Sequence, residues 1–359
     1  MDSEYAEKEI IPLFVLDGNA VSAVPYGEGH INSTFLVSTD RGAEYILQKI
    51  NDSVFHSVDA LMKNIELVTE HLRSKTSDRR SVLALSYTAD GRSYVNVHDE
   101  YFRVYSYVDG SMCLEHPEKR EDFYQSALAF GRFSEDLADF DASSLTEIIP
   151  DFHNTPKRYD SFRRVLAEDR YSRAKEVQRE IDFILEREAE MSVLQKMRDN
   201  GELPLRVTHN DAKLNNVLFD KNTGRALCVI DLDTVMPGLS LYDFGDSIRF
   251  GASTAMEDER DISRVELSLD LYNAYAFGYR NACLSLTHAE IDMLALGAKT
   301  MTLECGMRFL TDYLDGDRYY KVRRERHNLD RARTQLKLIA DMEAHWSELE
   351  MISHNPDKL

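Results

Sequence analysis

Over the first hundred residues apolar and polar positions alternate in short runs, the period of half-buried strands. Six runs rich in β-branched and aromatic residues predict strands at 20–25, 33–38, 44–50, 82–87, 93–97 and 101–108. Leu61, Ile65, Val68 and Leu72 recur at helical spacing, so an amphipathic helix is expected from Val58 to about Arg73. After Asp109-Gly110 the period lengthens. Helices are expected over 118–140, 175–199, 260–282, 288–314 and 330–351, with a strand-rich island at 205–235 between them. The pattern predicts an α+β chain with a small β-rich N-terminal lobe, residues 1–108, and a larger, mainly helical C-terminal lobe, residues 109–359. No internal repeat or low-complexity tract interrupts it.

Composition adds limits. The chain has 359 residues, 43% of them hydrophobic and 30% charged, enough apolar material for a core in each lobe. Lys and Arg number 43 against 63 Asp and Glu, a net charge of −20, which makes nucleic acid and anionic membranes poor partners. No stretch reaches the ~18 apolar residues of a membrane helix, and MDSEYAEKEI lacks the regions of a signal peptide. Cys113, Cys228, Cys283 and Cys305 lie far apart with no CxxC pair. That spacing argues against a zinc site or disulfide framework and for reduced thiols. A cytoplasmic globular protein is expected.

The chemistry concentrates in Thr208-His209-Asn210-Asp211-Ala212-Lys213-Leu214-Asn215-Asn216, which contains H-x-D-x-x-x-x-N. Fifteen residues beyond Asn216, the apolar run Leu227-Cys228-Val229-Ile230 delivers Asp231. Phosphoryl transfer from ATP needs a carboxylate beside the acceptor hydroxyl, oxygen ligands for Mg²⁺ and cations around the γ-phosphate. Asp211 fits the first role. Asn216 and Asp231 fit the second, because Mg²⁺ takes hard oxygen donors and keeps several waters. Lys213 is placed to meet the transferred phosphate. A lone D-x-x-x-x-N also suits a capping loop; the ordered succession of motif, strand, turn, strand and acid argues against that. His209 is expected to brace the loop by hydrogen bonding rather than to act as a base.

A second constellation, Tyr26-Gly27-Glu28-Gly29-His30-Ile31-Asn32, lies between two expected strands. Gly27 and Gly29 would let backbone N–H groups approach phosphates, with Asn32 closing the loop. Alone the pattern is weak, since a hairpin turn also explains it. No G-x-S-x-G or similar nucleophile setting supports a hydrolase.

Together these segments resemble the protein-kinase-like fold, in particular its aminoglycoside phosphotransferase and choline kinase branch. Within that branch GEGHINSTFLV, THNDAKLNN, VIDLDTVMPG and LYDFGDSIRFGAS are similar to the N-acetylhexosamine 1-kinase family. The resemblance runs from about Val21 through Glu304–Leu310. It implies ATP and Mg²⁺ as cofactors, a small sugar as the other partner, and phosphorylation of the anomeric hydroxyl of GlcNAc or GalNAc. A kinase of the same branch acting on an aminoglycoside, homoserine or choline is the alternative, and −20 of charge suits a polycationic acceptor. A nucleotide-binding module without catalysis fits less well, because Asp211, Asn216 and Asp231 are all present.

One departure stands out. The fold places a Lys on the third strand, paired with a helix Glu, whereas the apolar pattern of Tyr45-Ile46-Leu47-Gln48-Lys49-Ile50 puts Gln48 there and turns Lys49 outward. Glu66 is the candidate partner, or simply an exposed helix charge. Arg308 has Glu304 and Asp312 four residues to either side, so both acids are expected to flank it. Arg308 and His30 are the candidate sugar contacts. Asp243 and Asp246 are expected to support the catalytic loop from behind, with Arg249 reaching toward the cleft.

Overall fold

The strands form where β-branched and aromatic residues alternate with polar ones. The computed structural model describes residues 2–27 and 32–356. A short helical segment opens the chain, α1 (Ser3–Tyr5) continuing in tighter and wider turns to Leu13, and buries Ile10 and Ile11. An antiparallel sheet follows, in the order β1 (Ala20–Pro25), β2 (Ser33–Thr39), β3 (Glu44–Ile50), β6 (Glu100–Ser106) and β4 (Leu85–Ser86). β5 (Tyr94–Val97) also pairs with β6. Phe35, Val37, Leu47, Phe102 and Val104 fill one face of this sheet. Helix α2 (Val58–Lys75) is capped by the Ser57 side chain and buries Leu61, Ile65, Val68 and Leu72 as the periodicity requires. The run expected at 82–87 pairs only at Leu85 and Ser86, because Val82 and Leu83 join the core beneath α2 instead.

The chain then enters the helical region through β7 (Ser111–Met112), which pairs with β9 (Val217–Asp220), itself paired with β10 (Ala226–Val229). β8 (Arg206–Thr208) and β11 (Met236–Gly238) make a second ribbon. Around this island pack α3 (Arg120–Asp136), α7 (Ser240–Gly251), α8 (Leu269–Ala282), α10 (Leu294–Leu314), α11 (His327–Ala344) and α12 (Trp346–His354). Small residues let the helices cross closely. A Cβ on Gly245 of α7 would stand 2.4 Å from the Gly297 carbonyl oxygen of α10, so only glycine fits that crossing.

Several expectations change. The stretch 175–199 is not one helix. It breaks into α5 (Gln178–Leu185) and α6 (Val193–Asp199) around the acidic Glu188–Ser192 turn, with Ile181 and Ile184 buried on the first and Leu194 on the second. The helix expected from 260 starts at Leu269, where the Ser268 hydroxyl accepts the Leu271 N–H and sets the terminus. Helix α4 (Thr155–Glu168) was not expected at all, although Asn154 caps it and Pro156 opens its first turn. The stretch 288–314 is two helices, α9 (His288–Asp292), started by a capping box at Thr287, and α10, which meet at Met293, and 330–351 likewise divides at His345 into α11 and α12.

Candidate active site

The candidate catalytic loop joins β8 to β9, and its shape comes from buried polar bonds. Asp243, in the first turn of α7, accepts the N–H groups of His209 (2.8 Å) and Asn210 (2.7 Å). Asn210 takes a left-handed φ of 63°, a conformation Asn tolerates better than most residues. His209 donates from Nε2 to the Ile230 carbonyl (2.8 Å), and its Nδ1 accepts the Asp211 N–H (3.3 Å). Both ring nitrogens are thereby occupied, which matches a bracing role. The Ile230 N–H in turn donates to the Asn216 carbonyl, so the residue before Asp231 is fastened to the end of the loop.

Asp211 receives Lys213 Nζ at 3.0 Å on Oδ1 and Asn216 Nδ2 at 3.0 Å on Oδ2. Its side chain keeps 31% of its surface open toward the cleft. Desolvation would raise its pKa, but the Lys213 ammonium overrides that and holds the carboxyl below its usual range. The Asn216 amide nitrogen also donates to the Asp211 carbonyl (2.8 Å), which turns its amide oxygen away from Asp211. Asp231 adopts φ 60°, a second strained position in the site. Its side chain is solvent-accessible, yet it stands among other acids. Desolvation, then the neighbouring charges of Asp233 and Asp211, push it up to about 6. These residues fit a hard divalent cation: the donors are oxygens, and carboxylates that repel one another are relieved by a positive charge between them.

Gln48 and Lys49 divide as expected. The Lys49 ammonium pairs with Glu100. Gln48 turns inward, where its Oε1 accepts from Arg103 Nε (3.0 Å) and Nη2 (2.8 Å) and its Nε2 donates to Thr34 Oγ1 (3.2 Å). Glu66 is not its partner. The Glu66 charge acts instead on Tyr87, whose phenol burial and then Glu66 hold up. Asn32 donates to Asp233 Oδ2 at 2.6 Å, joining the foot of the glycine loop to the segment after Asp231. Gly27 sits at φ 72°. Gly29 and His30 lie outside the described residues.

Arg308 departs from its expectation. Glu304 accepts from His153 Nδ1 (2.8 Å) and Thr155 Oγ1 (2.7 Å), and Asp312 accepts the N–H groups of Arg318, Tyr319 and Tyr320. Neither acid binds the guanidinium, which lies over the rings of Phe152 (5.4 Å) and Tyr320 (5.7 Å). His153 Nε2 meets the Asn210 carbonyl at 3.0 Å, so α10 and the catalytic loop share one network. Arg249 is buried, donating to Asp246 (2.7 Å) and Glu257 (2.6 Å), and its charge acts on the Asp211 carboxyl. Sequence reasoning missed Arg103, Asp233 and His153. Their partners lie far off in the chain, from 55 residues for Arg103 and Gln48 to 151 for His153 and Glu304, and no local pattern marks them.

With this geometry in place, the comparisons are informative. The sequence profile of the phosphotransferase enzyme family, APH, matches residues 22–282. The chain belongs to that family, and its fold is kinase-like, with a β-sheet N-terminal region and a helical C-terminal region. It is similar to the aminoglycoside phosphotransferase of Alicyclobacillus acidocaldarius subsp. acidocaldarius DSM 446, at TM-score 0.65 and 14% identity over 96% of both chains. Spectinomycin phosphotransferase APH(9)-Ia, solved with ADP and spectinomycin, matches at TM-score 0.61 and 10% identity, over 100% of this chain and 99% of its own. Choline kinase LicA from Streptococcus pneumoniae matches at TM-score 0.52 and 12% identity, over 94% and 96%. At such identities the likeness concerns the fold. The chain is a small-molecule phosphotransferase. Among the described residues, no helix is long and apolar enough to cross a membrane.

Proposed function

We propose that the chain is an ATP-dependent kinase of N-acetylhexosamines, forming the sugar 1-phosphate and ADP at the anomeric hydroxyl. Asp211 orients that hydroxyl. Its oxygen bonds to the γ-phosphorus as the bond to the bridging oxygen breaks, and that electron pair leaves with ADP while Asp211 takes the proton. A carboxylate kept weakly basic by Lys213 takes a proton only late in the transfer, so it suits an acceptor more acidic than an ordinary alcohol. The anomeric hydroxyl is such an acceptor. Lys213 stands beside the transferring group. Asn216 and Asp231 would hold Mg²⁺, which neutralises phosphate charge when bound with the nucleotide. Gly27 and Gly29 would cover the phosphates.

The observation that carries the choice of acceptor is Arg308. It presents a guanidinium over two aromatic rings, with the neighbouring Glu304 hydrogen-bonded to His153 and Thr155 instead, on the helix tied to the loop. Such a slot suits a neutral ring whose acetamido carbonyl accepts from Arg308 and whose apolar face lies on an aromatic, with His30 as a second candidate contact. It disfavours aminoglycosides and choline, whose positive charge would meet another. The test is a panel of sugars, amines and aminoglycosides with Mg-ATP, scored by ADP release and phosphorus NMR of the product. Turnover of N-acetylhexosamines to the 1-phosphate supports the reading. Phosphate on O6, or turnover of kanamycin-like amines alone, would replace it with the aminoglycoside or choline type.

A further inference from the structure

Arg103 is 1% exposed, and its guanidinium is only partly used. Nε and Nη2 donate to Gln48 Oε1, and Nη1 lies 2.5 Å from Asp233 Oδ1. A guanidinium carries five N–H groups, so one on each terminal nitrogen remains unspent. The sheet register explains its placement. Gln48 pairs across β3 with Thr34 on one side and Arg103 on the other, so the three side chains share one face. Lys49 faces the opposite way and is held by Glu100. Below the row, Asp233 receives Arg103 on Oδ1 and Asn32 on Oδ2, two residues beyond Asp231. A buried cation thus stands between the foot of the glycine loop and the candidate metal ligand. Its ion pair to the C-terminal region does not exhaust its donors.

We propose that Arg103 is the N-terminal-lobe cation that contacts the phosphates of the bound nucleotide. It is displaced by one strand from the β3 position where protein kinases hold a lysine. Gln48 and Asp233 grip two edges of the guanidinium and aim the rest. The inference rests on the phosphotransferase reading and deepens it. Removing the arginine strips a charged donor from the phosphates and leaves the nucleoside contacts alone.

The test is calorimetric binding of adenosine, ADP and a non-hydrolysable ATP analogue, with Mg²⁺, to the full chain. In Arg103→Gln, affinity for ADP and the analogue should fall roughly ten- to hundredfold, the worth of a charged hydrogen bond, while adenosine changes little. The swap Gln48→Lys with Arg103→Gln returns the cation to β3 and should recover most of the lost ADP affinity. If Arg103→Gln fails to fold, Gln48→Glu decides. It keeps an acceptor for Arg103 but neutralises it, so ADP should weaken and adenosine should not. Equal losses for adenosine and ADP, or unchanged ADP affinity in a folded variant, overturn the proposal. A wild-type chain that binds neither ADP nor the analogue refutes the phosphotransferase reading, and this inference with it. One that binds both, with variants that do not discriminate, refutes the Arg103 role alone.

Discussion

Asn64 is the sharpest probe of how the sheet region is fastened to the helical one. It is 1% exposed on α2, and its amide nitrogen donates to the carbonyls of Thr146 (2.8 Å) and Val235 (3.0 Å). Its amide oxygen accepts the Thr146 N–H at 2.9 Å. Three bonds at about 1 kcal/mol each place the cost of Asn64→Ala near ~3 kcal/mol, less whatever water re-entering the small gap returns. Asn64→Asp is nearly isosteric, yet at neutral pH it sets a carboxylate oxygen against two carbonyl oxygens, so it should cost more than Ala. Its sign with pH is definite. The buried carboxyl has a raised folded pKa, so protonation restores one donor and the variant gains on Ala as pH falls. Urea unfolding followed by circular dichroism at pH 7.5 and 5.5 reads both effects. A loss below ~1 kcal/mol for Ala, or an Asp variant no worse than Ala at pH 7.5, would refute the strap.

Asp211→Asn should keep the fold and Mg-ATP binding while kcat falls about 10²–10⁴-fold, as steady-state ADP release would show. Near-wild-type turnover would remove Asp211 from the base role. Arg308→Met should lower acceptor kcat/KM roughly ten- to hundredfold and leave the KM for ATP unchanged, a split that a merely structural role would not give. The buried pair of Glu290 with Arg206 (2.5 and 2.7 Å) governs acid stability. Burial alone would raise the Glu290 pKa, but the Arg206 and Ser240 hydrogen bonds hold it below normal. Its stabilisation is therefore full above the unfolded pKa of about 4.3 and fades as pH drops through the folded value. Glu290→Gln should cost about 3 kcal/mol at pH 7, with the gap to wild type closing in acid. A pH-independent gap in urea midpoints would contradict this.

The parts legible in the sequence are those whose partners are near in the chain. β2 alternates cleanly because one of its faces lies on the core, and β2 and β3 pair in register from Ser33 opposite Lys49 to Ser38 opposite Glu44. The Asp211, Asn216 and Asp231 set is legible because a single hairpin carries it. The strand residue turned toward the cleft, Gln48 rather than Lys49, is legible too, since alternation allows only one of them inward. Helix α4 was readable in principle from Asn154 and Pro156 but was masked by weak apolar periodicity before Tyr159. The 175–199 stretch misleads because charged helix formers continue through 186–190 while the chain turns there to pack Ile181 and Ile184 into one apolar cluster and Leu194 into another.

Spacing along a helix shows which side chains are able to meet, and competition among partners decides which do. Glu304 and Asp312 are each one turn from Arg308, and in an isolated helix they would pair with it for a few tenths of a kcal/mol. Both are buried, however, at 1% and 6% exposure, where a carboxylate must satisfy its lone pairs. One arginine cannot supply two acids with that many donors. Glu304 finds His153 and Thr155, while Asp312 finds three consecutive backbone N–H groups and the Asn328 amide (2.9 Å). Those partners come from other segments, so no helical pattern announces them. Once they are taken, the guanidinium is left to the aromatic faces of Phe152 and Tyr320. A cation whose nearest acids are already committed keeps donors for an oxygen acceptor brought from outside, and the acetamido carbonyl of the proposed acceptor supplies one.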